Sequence, residues 1–325
     1  MIHEAPSQLI FEKLSAARRP ILAAHRKPDG DTLGAMMAVY NWLRDQGREA
    51  YAFCVDAPPE AYGYFPRIKE VQTNPDVFTD EAVDMVCVFD AGDLAYAGIA
   101  ELVAAMPRRP FVADFDHHVT NTLFGDANLV ITDASSTAEV VHGFFVANGV
   151  EVSRSMATCL MTGLLTDTSN FSNPATTLKS LEIASELLLK GVSMKDITRR
   201  LMRNKPIDAL KLWGKALERL RWDPKRSTAT TALLLQDLRE HPIDEEHLEG
   251  LSNFLNHLLK AEVVLVLKEL PGGKVKGSYR SASEVDVAEL AKAYGGGGHK
   301  KAAGFTVAGK IIEEEEGWNV AVDGR

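Results

Sequence analysis

Eight side chains within the first 167 residues of this sequence carry chemistry that packing does not explain. His25, Asp29 and Asp31 fall in HRKPDGD, Asp90 ends the apolar run DMVCVFD, Asp116, His117 and His118 end PFVADFDHH, and Asp167 follows an apolar run in TGLLTDTSNF. Carboxylates and imidazoles buried without partners cost several kcal/mol, so they are normally hydrogen-bonded, ion-paired or bound to a metal. Any one of these carboxylates alone reads as a cap or turn residue, and Asp31 suits the cap of the helix that follows it. Capping leaves His25 and Asp29 without a role. Oxygen donors with two or three imidazoles and no thiolate suit manganese or magnesium better than a structural zinc. Six or more candidate ligands exceed what one ion needs. Two cations, spaced about 3.5 to 4 Å with a carboxylate between them, would clamp the attacking and departing oxygens of a displacement at phosphorus.

A second stretch, AYGGGGHKKAAGF, lies near the C-terminus. Its glycines, among them Gly296, Gly297 and Gly298, let backbone approach a ligand closely, and His299, Lys300 and Lys301 add positive character. Upstream, GSYRS offers Ser278 and Arg280, and arginine suits bidentate contacts with phosphate. These residues are expected to form a phosphate grip.

The elements that must position these groups follow from periodicity. PILAAH, EAYAFCV, DMVCVFD and PFVADFD read as strands, and DTLGAMMAVYNWLRDQG reads as a helix ended by Gly47. Helical spacing returns at 136–149, 153–165 and 177–191. Such alternation predicts an α/β fold, a mainly parallel sheet with helices on both faces. Ligands of such a sheet gather outside the carboxyl ends of its strands, which lets three strand-end clusters converge. The expected domains are 1–192 for the metal-binding part, a helical connector at 193–225, and a second, smaller α/β domain at 226–325 with a hairpin around PGG. The acidic IIEEEEGWNVAVDGR reads as a solvated end.

Composition narrows the class. With 325 residues, 46% of them hydrophobic, the chain can bury a large core. Its 36 basic and 45 acidic residues give a net charge of -9, which argues against coating long nucleic acid, while a short anionic substrate fits if cations reverse the local field. Cys54, Cys87 and Cys159 lie in apolar text and read as reduced core thiols. The N-terminus lacks a secretory pattern and no window approaches the length of a membrane span, so the expected location is the cytoplasm, with no membrane partner.

His-x-x-x-Asp-x-Asp at 25–31, Asp90, Asp-His-His at 116–118 and Asp167, followed by GSYRS and GGGGHKKAAGF, together resemble the DHH phosphoesterase family and its associated C-terminal domain over roughly residues 15–308. The resemblance implies one cation held by His25, Asp29 and Asp90 and another by Asp31, Asp90, His117 and Asp167, with Asp90 bridging. It implies that His118 faces the scissile phosphate, that Asp116 orients the histidines, and that Arg280, His299 and the glycine backbone hold the other phosphate. The short two-domain form is similar to members acting on very short RNA, linear dinucleotides and 3′-phosphoadenosine 5′-phosphate, with manganese and with homodimerisation left open. Cyclic di-AMP phosphodiesterase and non-catalytic nucleotide sensor are the alternatives. Tyr96 stands where many relatives carry arginine.

Overall fold

The computed structural model describes residues 4–202, 206–243, 248, 250–315 and 317–322. The chain divides into two units, Met1–Arg203 and Asn204–Arg325.

In the first unit, α1 (Glu4–Ala16) precedes β1 (Ile21–Ala24), α2 (Gly30–Asp45), β2 (Tyr51–Phe53), β3 (Met85–Phe89), α3 (Leu94–Ala97), α4 (Ala100–Ala104), β4 (Phe111–Asp116) and β5 (Ala127–Val130). Helices α5 (Thr137–Ala147), α6 (Arg154–Asp167), α7 (Leu178–Leu189) and α8 (Met194–Met202) complete it. The strands form one sheet in the order β2-β1-β3-β4-β5, and every pairing is parallel. β1 and β3 are buried along their whole length, as expected of parallel strands covered on both faces. Alternation then divides them: Leu22, Ala24, Met85, Cys87 and Phe89 join the larger core, whereas Ile21, Ala23, Val86 and Val88 pack with Phe78 and Ile99 on the other face. The three cysteines are buried free thiols.

Register places the chemistry. Ala24 pairs with Phe89, and Phe89 with Phe115, so His25, Asp90 and Asp116 emerge at one level on three adjacent strand ends. Behind them α2 is buried from Gly30 to Leu43 and packs closely on α6. A Cβ at Gly34 would lie 2.6 Å from the Cys159 carbonyl oxygen. One at Gly163 would lie 2.5 Å from the Ala138 Cβ and 2.7 Å from an Asp31 carboxylate oxygen. Two glycines therefore set the approach of α2 to α6 and α5 at Asp31.

In the second unit, α9 (Ile207–Glu218), β6 (Arg221–Asp223), β7 (Thr228–Leu233), α10 (Leu235–Glu240), α11 (Leu251–Leu258), β8 (Val263–Leu270), β9 (Lys274–Arg280), α12 (Val287–Lys292), β10 (Gly297–His299), β11 (Ala302–Glu314) and β12 (Gly317–Val322) follow in order. The sheet runs β10-β11-β9-β8-β7-β6, with β12 on β11. Among the described strands of this unit, only the β7 to β8 pairing is parallel. The β8–β9 hairpin turns through Gly272 and Gly273 at φ 80° and 68°, which glycine adopts without strain. Of the two helices expected as a connector, α8 lies in the first unit and α9 in the second.

The C-terminal stretch is not a solvated end. β11 continues to Glu314 and β12 returns along it, while the Trp318 indole N–H donates to the Arg219 carbonyl at 2.6 Å and its backbone N–H to the Thr230 hydroxyl at 2.9 Å. The run of glutamates obscured this strand because its side chains point to water while the backbone pairs. No helix among the described residues is long and apolar enough to cross a membrane.

Candidate metal centre

His25 follows the last residue of β1, and its Nδ1 lies 2.6 Å from the Arg26 carbonyl oxygen. A carbonyl only accepts, so Nδ1 carries a proton and Nε2 is the ring nitrogen left to bind a cation once its own proton is displaced. That Nε2 stands 3.5 Å from Asp90 Oδ2 and 3.9 Å from Asp29 Oδ1. His117 repeats the arrangement: Nδ1 lies 3.2 Å from the Ala134 carbonyl, and Nε2 is 3.7 Å from Asp90 Oδ1 and 3.3 Å from Asp167 Oδ2. Most of these spacings exceed an ordinary hydrogen bond and are of the order that neighbouring ligands of one ion keep. The two oxygens of Asp90 thus face two different imidazoles. Residues His25, Asp29 and Asp90 can bring one donor atom each within 4.8 Å of one another, as can Asp31, His117 and Asp167, and Asp90, His117 and His118.

Local folding explains the positions. The α2 cap is Asp29, whose Oδ1 accepts the backbone N–H groups of Asp31 at 3.0 Å and Thr32 at 3.1 Å. This corrects the expectation that Asp31 caps α2. Asp31, fully buried, instead accepts the Thr137 and Ala138 N–H groups at 2.6 and 2.9 Å, so its carboxylate sits on the N-terminus of α5. Asp90 has φ 59°, a left-handed conformation that a non-glycine residue holds only where surrounding structure enforces it. Its N–H is fixed by the Phe115 carbonyl at 2.9 Å, and the Thr137 hydroxyl donates to its Oδ1 at 2.9 Å. Asp167 ends α6, and Asn173 grips its carbonyl at 2.7 Å through a turn in which Ser169, Asn170 and Phe171 are all left-handed.

Electrostatics favours a cation here. Burial, then Asp167 and Asp90, push the Asp31 carboxyl well above its ordinary range. Desolvation and the Asp90 and Asp167 carboxylates take the half-exposed Asp29 up to about 6, and burial with Asp90 raises Asp167. Burial opposes ionisation of Asp90 as well, but His25 and the charges of His117 and His118 outweigh it and hold this carboxyl below the usual range. Although burial works to lower them, His25 rises to about 9 beside Asp90 and Asp29, and His117 to about 10 beside Asp167 and Asp31. Four crowded carboxylates and two imidazoles relying on protons for neutrality are a donor set that fits divalent cations.

Asp116 is fully buried and accepts three hydrogens on Oδ1, from the backbone N–H groups of His117 and His118 at 2.8 and 3.2 Å and from the His118 Nδ1 at 2.8 Å. The hydrogen bond to Asp116 raises the His118 pKa. Asn121, which sequence reasoning passed over, donates its amide to Asp114 and Asp116 at 2.8 and 2.7 Å. Burial carries Asp114 up to about 8. Thr137 opens α5, and its contact with Asp90 leaves no local signal in the sequence. Tyr96 sits in α3, with its ring centre 5.5 Å from that of His25.

In the second unit, β11 joins the two motifs. Ser278, Gly304 and Gly297 fall in one row across β9, β11 and β10, and Arg280, Ala302 and His299 in the next. The Arg280 Nε donates to the Asn253 Oδ1 at 2.6 Å and Nη1 to the Tyr279 carbonyl at 2.8 Å. A Cβ at Gly296 or Gly298 would meet β11 backbone at 2.2 or 2.6 Å, so these glycines serve strand packing, while Gly297 has open space beside it. Lys300 and Lys301 pair with Glu284. The His299 side chain lies outside the described residues.

A parallel sheet with histidines and aspartates converging at its carboxyl edge, joined to a glycine-rich second unit, matches two family models in turn: the DHH family N-terminal domain over residues 21–164 and the DHHA1 domain over residues 230–317. The chain belongs to the DHH family and is a hydrolase of phosphoester bonds. It is 31% identical to the bifunctional oligoribonuclease and PAP phosphatase NrnA of Thermus thermophilus, covering 94% of this chain and 90% of that one. Identity to NrnA of Bacillus subtilis is 24%, covering 88% of each chain. The cyclic-di-AMP phosphodiesterase PdeA of Listeria monocytogenes is 24% identical over 95% of this chain but only 48% of its own length. Among solved structures, an exopolyphosphatase-related protein from Bacteroides fragilis shares the fold, with a TM-score of 0.86 at 24% identity, covering 93% of this chain and 91% of that one.

Proposed function

We propose that this protein hydrolyses very short oligoribonucleotides, including linear dinucleotides, and 3′-phosphoadenosine 5′-phosphate in the cytoplasm, using two divalent cations, manganese by preference. The observation that carries the reading is Asp90, one carboxylate whose two oxygens face the Nε2 atoms of two different imidazoles, His25 and His117. His25, Asp29 and Asp90 would hold one cation, and Asp31, Asp90, His117 and Asp167 the other. Bound there, the cations would make a water nucleophilic near neutral pH and stabilise the charge that builds on phosphorus. The side chains supply the rest. His118, oriented at Nδ1 by Asp116, delivers a proton from Nε2 to the departing ribose oxygen. Arg280 binds the phosphate that is not cut, with Ser278, His299 and the backbone at Gly296, Gly297 and Gly298. NrnA proteins, similar along nearly their full length, support the substrate class.

Product analysis in manganese tests this on linear diadenylate, the bisphosphate nucleotide and cyclic di-AMP. The expected result is rapid loss of the first two with the cyclic compound intact; rapid opening of the ring would replace this reading with a cyclic dinucleotide phosphodiesterase. Arg280→Ala should raise KM about tenfold or more with little change in kcat, the loss of a charge-assisted contact made equally in ground and transition states. Unchanged KM would remove Arg280 from the grip.

Stability should report the centre without turnover. His25 rises from 6.5 to about 9 and His117 from 6.5 to about 10 on folding. A raised folded-state pKa contributes stability that is complete below the unfolded value and lost as pH climbs through the folded one. The metal-free Tm should therefore fall between about pH 6.5 and 10, and the gain on adding manganese should widen over the same interval because cations displace those protons. A flat metal-free Tm, or a gain that shrinks with pH, would contradict the arrangement.

A further inference from the structure

We infer that a cavity beside His25 is the pocket for the second nucleoside of a dinucleotide substrate, an inference that rests on the proposed phosphoesterase reading. The cavity has a volume of about 410 Å³, within the range of small-molecule sites. It opens at the carboxyl edge of β1 and β2, where Arg26 follows His25 directly, and Phe53, Pro75 and Leu102 give it apolar walls. Ala95 and Gly98, on either side of Tyr96, form the opposite wall, and the same turn places the Tyr96 ring beside His25. One short turn thus borders both the carboxylate cluster and the cavity. On the β1 side the cavity's lining begins one residue after His25, at Arg26, and on the other it flanks the turn that carries Tyr96.

The polar lining selects the ligand class. Arg26, Thr73 and Glu101 face the cavity, and neither the Arg26 guanidinium nor the Glu101 carboxylate has a hydrogen-bond or ion-pair partner among the described residues. A bare phosphate would meet Glu101 as a like charge, and a purely apolar ligand would strip water from both ions without replacing it. A nucleobase satisfies both. Its faces suit the apolar walls, and its edge carries acceptors for arginine next to donors for a carboxylate, as adenine N7 and N6 do. Arg26 also lies against Gly98, where a Cβ would fall 2.2 Å from its Nε, so this glycine leaves the guanidinium its place at the mouth.

Two substrates isolate this pocket. 3′-Phosphoadenosine 5′-phosphate and 5′-phosphorylated diadenylate share a nucleotide and its 3′-phosphate, and only the second carries a nucleoside beyond that phosphate. We would measure kcat/KM for both in manganese with the parent protein, Arg26→Ala and Ala100→Phe, the latter filling the cavity from α4. The ratio of dinucleotide to bisphosphate hydrolysis should fall about tenfold or more in each variant, the scale of one stacked and hydrogen-bonded base. A ratio within about twofold of the parent in both variants, or equal losses on both substrates, would overturn the pocket while leaving the phosphoesterase reading in place. A parent protein that cleaves neither substrate would remove that reading and the pocket together.

Discussion

Asp90→Asn is expected to lower kcat/KM in manganese by about a thousandfold or more while the far-UV circular dichroism stays that of the parent. The substitution keeps the side-chain shape and an oxygen able to accept from Thr137, and asparagine tolerates the left-handed backbone at φ 59° better than alanine does. What it removes is the negative charge between His25 and His117. An amide offers one weak oxygen donor where a pair of cations held by these residues would need the Asp90 carboxylate. Turnover near the parent level in this variant would exclude a bridging role, whatever else the cluster does.

The second large effect belongs to His118. His118→Ala should lower kcat by about a hundredfold to ten-thousandfold, the usual contribution of a positioned proton donor. Asp116→Asn should follow in the same direction with a smaller loss, because Asp116 acts through the Nδ1 of His118 and through two backbone N–H groups. A phosphodiester with a nitrophenolate leaving group separates proton donation from mere packing. That leaving group departs without a proton, so the His118→Ala penalty should largely disappear for it. Equal penalties on the ribose and nitrophenyl substrates would show that His118 does not protonate the leaving oxygen.

The strand ends were legible in the sequence because a buried parallel strand is a short apolar run, and a polar cluster stopping such a run marks the carboxyl edge of the sheet. β1, β3 and β4 therefore mark His25, Asp90 and Asp116 in the sequence itself. The division of labour between Asp29 and Asp31 was not legible, since both are aspartates near the start of one helix and either can cap it. Only the packing of α5 against α2, set by Gly163, decides that Asp31 receives the N–H groups of Thr137 and Ala138. Thr137 and Asn121 escaped for the same reason: a hydroxyl or an amide has many ordinary surface roles, and partners 47 residues away in one case leave no periodic trace. β12 was hidden by its acidic neighbours, whose charge says where side chains go and nothing about backbone pairing. Of the four glycines in GGGGH, two are required by contact with β11, which composition cannot distinguish from loop flexibility.

The central claim is that Asp90 joins two cation sites. Crystals of the protein soaked in manganese, with anomalous difference maps collected at the manganese edge, test it most directly. The account predicts two peaks per chain on either side of the Asp90 carboxylate, one bounded by His25 and Asp29 and the other by Asp31, His117 and Asp167. Peaks elsewhere on the surface, with the space around Asp90 filled only by water, would contradict it.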